Sequence, residues 1–235
     1  MTNSLGFRGP EVSRQKPDGT FRILLLGDSV CFGVGVDDEV TFVRRWEAEL
    51  NKSGRRRFEV INTGLPMYDS TQELALLRDD GLALKPDLIL LVYVVNDIEP
   101  TRDVVEQALL GLPAKSGETL ADPGDFWTGF ANFVRPVMPT TARLLELQSD
   151  AAVRFLTTMP EGTEYVPEKF GNGPRGWQRS KKAVLEMRDL CRAAEIPFFV
   201  LDHTMPAVRA LPGFCRENDL PYFEFRFTDE ELERP

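Results

Sequence analysis

The chain has 235 residues, of which 42% are hydrophobic and 28% charged, enough for one α/β domain with its own core. Its net charge of −9 repels phosphate backbones and so disfavours nucleic acid as a partner. The sequence lacks a stretch of about 18 apolar residues, so no membrane span is predicted.

The cysteines and the histidine argue against a metal site. The three cysteines have no CxxC spacing, and His203 is the only histidine, which gives no zinc pattern. Cys191 and Cys215 fall on apolar helix faces and are predicted to be core thiols. We expect neither a metal nor a cofactor.

Five apolar runs alternate with helical patterns along the chain. The predicted strands are 22–26, 58–62, 88–95, 198–201 and 222–227, and the predicted helices are 41–52, 70–84, 180–194 and 206–218. Ser70 and Glu73 match a capping box at the start of the second helix. This alternation predicts a doubly wound, flavodoxin-like parallel sheet of five strands with helices on both faces, in three layers α/β/α.

One region interrupts the alternation. We interpret residues 99–178 as an insertion in a single domain that spans 1–235, with helices predicted around 103–110 and 143–156. Its aromatic residues could form a lid or an acyl-binding wall, or they could pack the insertion onto the domain. Trp177 carries the same two alternatives, packing or a substrate wall.

Polar residues follow the first three predicted strands. Asp28 and Ser29 come after the first strand, Asn62, Thr63 and Gly64 at the end of the second, and Asn96 and Asp97 after the third. Ligands bind outside the carboxyl ends of strands in such sheets, so these residues should face one crevice. Acyl transfer needs a nucleophile, which Ser29 could supply, and donors for an oxyanion. The N–H groups of Ser29 and Gly64 and the amide of Asn96 could be those donors.

The same residues carry a family resemblance. Gly-Asp-Ser-Val at 27–30 resembles the first block of the SGNH (GDSL-type) hydrolases, Gly64 matches their glycine block, and Val-Asn-Asp at 95–97 resembles their G-x-N-D block, with Val94 in place of its usual Gly. The resemblance implies a serine esterase that forms an acyl-enzyme on Ser29, with Gly64 and Asn96 in the oxyanion hole. The implied partner is a small-molecule ester, an acyl or acetyl ester such as one of a carbohydrate or lipid.

The family's base is the element that the sequence lacks. It lies in a D-x-x-H block after the fifth strand, and no D-x-x-H occurs in the 235 residues. We therefore expect a chain truncated at its C-terminus that hydrolyses esters poorly by itself. His203 follows the fourth predicted strand, where it could be a half-buried loop residue or a substitute base. Asp28 and Asp97 could act as an acid–base pair, or Asp28 could orient the Ser29 loop and Asp97 could cap the turn after its strand.

The sequence is compatible with two functions other than ester hydrolysis. The fold could transfer acetyl groups between sugars, or it could be a non-catalytic binding domain without a competent base. The segment at 3–8 resembles a bacterial subgroup whose members often carry an exported or membrane-anchored segment further upstream. We thus expect the chain as given to be cytoplasmic, and exported or membrane-anchored if such a segment precedes it. The oligomeric state is left open.

Overall fold

The computed structural model describes residues 2–52, 54, 56–98, 173–204 and 207–224. These residues form five strands: β1 (Thr20–Leu26), β2 (Arg57–Asn62), β3 (Leu88–Tyr93), β4 (Phe198–Asp202) and β5 (Tyr222–Glu224). All neighbours pair in parallel, in the order β2-β1-β3-β4-β5. This is the flavodoxin-like doubly wound order, so the predicted fold class is confirmed.

The described helices are α1 (Ser29–Phe32), α2 (Phe42–Asn51), α3 (Ser70–Leu76), α4 (Gly173–Ala193) and α5 (Leu211–Glu217). A wide turn at Leu77–Gly81 and a 3-10 turn at Leu82–Leu84 extend α3 towards β3. A further 3-10 turn, Val95–Asp97, follows β3 directly.

The two faces of β1 show where the core lies. Leu24 and Leu26 pack on one face with buried residues of α4, α5 and the turns that follow α3, whereas Ile23 and Leu25 pack on the other. On that second face Cys31 of α1 and buried residues of α2 cover the sheet. A parallel strand covered on both faces must be apolar at successive positions, which explains the unbroken hydrophobic run of β1.

Helix α4 begins earlier than predicted, at Gly173 rather than Ser180, so the stretch 173–178 is helix and not insertion. Trp177 lies inside this helix, is 5% exposed, and packs edge-on against Phe214 at 5.5 Å between ring centroids. Packing is therefore the role of Trp177. The rest of the predicted insertion, 99–172, with its two expected helices and its aromatic residues, lies outside the described residues.

Several element ends also differ from the prediction. The capping box of α3 joins Asp69 to Gln72, one residue before the predicted pair. β3 ends at Tyr93 because the chain then turns into the 3-10 segment. The last helix begins at Leu211 instead of 206. β5 is described only as far as Glu224.

Two further observations concern the described residues. The three cysteines are all buried and free, so Cys191 and Cys215 are core thiols, as predicted. None of the helices in the described part of the chain combines the length and apolar character that crossing a bilayer requires.

Candidate active site

Three loops meet at the carboxyl edge of the sheet. β1 lies between β2 and β3, and adjacent strands are about 4.8 Å apart, so the loops that follow these three strands are neighbours. They carry Ser29, Gly64 and Asn96, respectively. The sheet order thus brings together the three residues that the sequence pointed to.

Ser29 is the first residue of α1, and Asp28 caps this short helix. The Asp28 carboxylate accepts a hydrogen bond from the N–H of Val30 at 2.9 Å and one from Oγ of Ser29 at 3.3 Å. The second distance is long for a bond from a hydroxyl, so the Ser29 hydroxyl is only loosely held. Because Ser29 is half-buried, its side chain remains at the edge of the sheet.

Asn96 is tied to the same carboxylate. Its Nδ2 donates to Oδ2 of Asp28 at 2.7 Å, a short charge-assisted bond, and faces the backbone oxygen of Tyr68 at 3.4 Å. Its amide oxygen is buried and has no hydrogen-bond partner among the described residues. Asp28 therefore joins the loop after β1 to the loop after β3.

The electrostatics of Asp28 follow from this position. The residue is 3% exposed, and burial raises the pKa of its carboxyl above the ordinary value. Hydrogen bonds from the Val30 N–H, the Asn96 amide and Ser29 act in the opposite direction and favour the ionised form. These donors allow a carboxylate to be buried beside the candidate nucleophile.

Gly64 is needed for a close approach. A Cβ at this position would lie 2.4 Å from Cβ of Cys31, 2.7 Å from the backbone nitrogen of Phe32 and 2.9 Å from the backbone oxygen of Asp28. A larger residue would push the loop after β2 away from α1. Glycine is therefore what lets these two loops touch.

The expected oxyanion donors are engaged within the protein. The N–H of Gly64 donates to Oδ1 of Asn62 at 3.1 Å, and Asn62 in turn donates to the backbone oxygen of Cys31 at 2.6 Å. The Asn96 amide is engaged by Asp28. A bound oxyanion would have to share the Gly64 N–H through a bifurcated bond and take the Asn96 N–H that is weakly held by Tyr68.

The N-terminal segment clamps the loop behind Ser29. Arg8 forms an antiparallel bridge with Asn62, and its guanidinium donates to the backbone oxygens of Phe32 at 2.9 Å, Gly33 at 2.6 Å and Val36. It also pairs with Asp38 at 3.2 Å. A planar fork of donors suits several carbonyls at once, so Arg8 closes the C-terminal end of α1.

A chain of buried hydroxyls runs behind the turn that carries Asn96. Tyr93 Oη lies 2.6 Å from Oγ of Ser180, which lies 2.9 Å from Oγ of Ser70, and Ser70 donates to Oδ1 of Asp97 at 2.6 Å. Oδ2 of Asp97 accepts from the N–H of Val94 at 2.8 Å and so closes the turn. Asp97 therefore has the turn-capping position that was one of its two alternatives.

Two carboxyls in this region are shielded from water. Burial raises the pKa of Asp97 to about 7, although its bonds from Ser70 and Val94 act in the opposite direction. Burial, followed by the fields of Asp97 and Asp28, raises the pKa of Glu73 well above its usual range. Glu73 is 1% exposed, and neither of its carboxyl oxygens has a hydrogen-bond partner among the described residues.

His203 lies at the same edge but farther along the sheet. It follows β4, its N–H donates to the backbone oxygen of Tyr93 at 2.9 Å, and it is half-buried. Because β3 separates β4 from β1, the strands that precede His203 and Ser29 are about 10 Å apart, two strand spacings. A base acts within hydrogen-bond reach, so a role for His203 requires its side chain to span this gap.

Arg8, Glu73 and Ser180 were missed as site-supporting residues. For Glu73 and Ser180 the helical periodicity of the sequence places them on a buried face, and that was a usable signal. The buried stripe of α3 and its extension contains positions 70, 73, 77, 81 and 84, so Glu73 is a charged residue on a buried face. The stripe of α4 extends back through Ser180 in the same way. Nothing local marks Arg8, whose partners come from loops that follow β1.

No family model matches the chain, and no curated protein matches it significantly. The solved structures similar to it include AlinE4, an SGNH-hydrolase family esterase, at 13% identity, covering 93% of this chain and 92% of the other with a TM-score of 0.45. The psychrotrophic esterase EstA from Pseudoalteromonas sp. is 11% identical over 88% of this chain and 78% of its own, with a TM-score of 0.47.

A third structure, the acetyl xylan esterase AlAXEase, is 16% identical over 77% of each chain with a TM-score of 0.32. The three identities are below 25% and the three TM-scores below 0.5, so the roles of Ser29 and its neighbours depend on the geometry described above. The structural neighbours of this chain are thus esterases and acylhydrolases of the SGNH/GDSL family, at low identity and over most of its length.

Proposed function

We propose that this protein is a serine-dependent ester hydrolase with Ser29 as its nucleophile. The observation that carries the proposal is the meeting of the Ser29, Gly64 and Asn96 loops around the buried carboxylate of Asp28. A hydroxyl at the edge of the sheet, with amide donors from two neighbouring loops, is what acyl transfer requires. An acyl or acetyl ester is the substrate class.

The proposed reaction has two steps. Oγ of Ser29 bonds to the ester carbonyl carbon while a base takes the hydroxyl proton, and the N–H groups of Ser29 and Gly64 with the Asn96 amide hold the oxyanion. The C–O bond to the alcohol then breaks, and the alcohol leaves with that proton. Water attacks the acyl-enzyme in the same way, which releases the carboxylic acid and restores Ser29. Asp28 keeps the Ser29 loop in place.

Two histidines are candidates for the general base. The family resemblance implies a histidine from a D-x-x-H block, which residues 1–235 do not contain. His203 is the histidine that the sequence does contain, and it follows a strand two positions away from β1. Whichever histidine acts, it must reach the Ser29 hydroxyl directly.

A non-catalytic binding domain is the second candidate. It is favoured by one observation, namely that the Gly64 N–H and the Asn96 amide are hydrogen-bonded within the protein to Asn62 and Asp28. A site whose donors are already satisfied stabilises an oxyanion less than one with free donors. Such a domain would bind a small ester or acyl group without turning it over.

The test is hydrolysis of p-nitrophenyl acetate and butyrate by the protein as its gene encodes it. We expect Ser29→Ala to lower kcat/KM by roughly a thousandfold or more, because the acyl-enzyme cannot form. Ser4→Ala is the matched control, since that exposed serine lies in the N-terminal segment and bonds to Glu11. Equal turnover by Ser29→Ala and the parent protein would contradict the proposal, and an absence of turnover in both would leave the binding domain.

The His203→Ala variant separates the two bases. Turnover that depends on Ser29 but not on His203 supports a base from another segment. Turnover that requires both residues assigns the base to His203. Mass spectrometry after reaction with a fluorophosphonate shows in either case whether Ser29 is the residue that becomes labelled.

A further inference from the structure

A buried carboxyl without a hydrogen-bond donor is the starting point. Glu73 points from α3 into the interior, is 1% exposed, and has no hydrogen-bond partner for either oxygen among the described residues. An ionised carboxylate in such a place would be desolvated without compensation. The Glu73 side chain is therefore stable only as the neutral acid.

A neutral acid needs an acceptor for its own O–H. The carboxylate that acts most strongly on Glu73 is that of Asp97, which also lies within side-chain hydrogen-bond reach of it. Asp97 uses one lone pair of Oδ1 for Ser70 and one of Oδ2 for the N–H of Val94, and each carboxylate oxygen has two. Asp97 can therefore accept a third hydrogen bond, and Glu73 is placed to donate it.

The surroundings favour a pair with one negative charge. Asp69 at the start of α3 and Asp28 before α1 act on Glu73 with the same sign as Asp97. Each packed element adds a titratable or hydroxyl group, namely Tyr93 from β3, Cys31 from α1, Cys215 from α5 and Ser180 from α4. A single proton held between Glu73 and Asp97 removes the repulsion that two carboxylates in contact would have.

We propose that Glu73 is protonated and shares its proton with Asp97, and that this proton positions Asn96. Asp97 closes the Val95–Asp97 turn through its bond from the Val94 N–H, and Asn96 is the middle residue of that turn. Loss of the shared proton would place two carboxylates in contact and displace the turn. Glu73 is thus a positioning residue for the Asn96 amide, and its effect on turnover rests on the function proposed above.

The first measurement is the infrared spectrum of the folded protein at pH 7, where exposed carboxyls are ionised. We expect a C=O band of a protonated carboxyl that shifts when glutamate, but not aspartate, carries a ¹³C carboxyl label. The band should be absent from Glu73→Gln and present in Glu186→Gln, a control that removes a half-exposed carboxylate from α4. A parent protein without this band at pH 7, or a band sensitive to the glutamate label that persists in Glu73→Gln, overturns the proposal. If Glu73→Gln does not fold, the labelled parent protein decides alone.

The second measurement is the free energy of unfolding between pH 5 and pH 7. Folded Glu73 keeps its proton there, whereas the unfolded chain releases it near pH 4.3, so stability must fall as pH rises. In Glu73→Gln the slope should be shallower by about one proton, and in Glu186→Gln it should be unchanged. Equal slopes in Glu73→Gln and the parent protein overturn the proposal.

The third measurement tests positioning through the pH profile of turnover. A glutamine at 73 always has an N–H to donate to Asp97, so the ratio of kcat in Glu73→Gln to kcat in the parent should rise with pH above 7 at unchanged KM. A ratio independent of pH overturns the positioning role. If no Ser29-dependent turnover exists, the proposed function fails, while the infrared band still decides whether the proton is shared.

Discussion

The candidate site is supported in different ways from its two sides. On the side of α1 and β2 the supports are backbone contacts, with Gly64 pressed against the first turn of α1 and Arg8 binding the carbonyls that follow it. On the side of α3 and α4 the supports are side chains, from Tyr93 through two serines to Asp97. The first support depends on shape and on a guanidinium that stays charged. The second support depends on which hydroxyl and carboxyl groups of the network carry protons.

This difference predicts how each side should respond to substitutions and to pH. The backbone contacts should be intolerant of added atoms but insensitive to pH. The side-chain network should tolerate the loss of one hydroxyl but respond to pH, because burial raises the pKa of Asp97 to about 7. Three substitutions test this contrast, beginning with the largest expected effect.

Gly64→Ala should break the backbone support. The new Cβ would meet Cys31 at 2.4 Å and the backbone nitrogen of Phe32 at 2.7 Å, and the backbone cannot yield without moving α1. We expect a loss of about 3 kcal/mol in the free energy of unfolding, measured by urea denaturation at two pH values. The loss should be the same at pH 5.5 and pH 7.5.

Gly213→Ala is the matched control. A Cβ at that position of α5 has no atom within 4 Å, so alanine should stabilise the helix by roughly 0.5–1 kcal/mol. If both alanine variants lost stability equally, glycine would be required for a reason other than the contact with α1.

Arg8→Ala should loosen the same side from the N-terminal segment. The side chain is 9% exposed, and its removal takes the guanidinium donor from the carbonyls of Phe32 and Gly33, of which Gly33 keeps only the N–H of Val36 at 3.3 Å. We expect a loss of about 2 kcal/mol in the free energy of unfolding, since bonds from a charged group are strong. Arg14→Ala, at a side chain that is 62% exposed, should leave stability unchanged. Full stability of Arg8→Ala would show that the clamp is dispensable.

Tyr93→Phe should have the smallest effect of the three on the free energy of unfolding. It tests the side-chain network on the side of α3 and α4. It removes a hydroxyl 2.6 Å from Ser180, but Ser180 keeps Ser70 as a partner at 2.9 Å. We expect a loss of about 1 kcal/mol in the free energy of unfolding, with Tyr68→Phe as a half-buried tyrosine outside the network. A loss several times larger would mean that the hydroxyls act as one cooperative unit.

The fold was largely predictable from local pattern. Apolar runs such as Ile23 to Leu26 are typical of strands covered on both faces. The alternation of these runs with helices predicted a parallel sheet. The ends of elements were less predictable. Asp69 and Ser70 can both cap a helix, and packing chose Asp69 because Ser70 faces Asp97 in the interior. The glycine and proline at 173–174 suggested a break, although α4 begins there.

The candidate site was predictable in its members but not in its contacts. Ser29, Gly64 and Asn96 follow three strands, so a parallel sheet had to bring them to one edge. The bond between Asn96 and Asp28 could not be read from the sequence, because it depends on the exact course of two loops. The buried state of Glu73 was hidden for a similar reason, since a charged residue at a helix start also fits a solvent-exposed capping box.

The sequence by itself determined the alternation of parallel strands with helices and which loops share an edge, because hydrophobic periodicity and parallel connections act through neighbours along the chain. Only the tertiary structure decided which polar groups pair. Ser70 and Ser180, for example, are separated by 110 residues, yet their hydroxyl oxygens lie 2.9 Å apart. Such pairs form only when helices dock on the sheet and remove both groups from water, so no local sequence pattern predicts them.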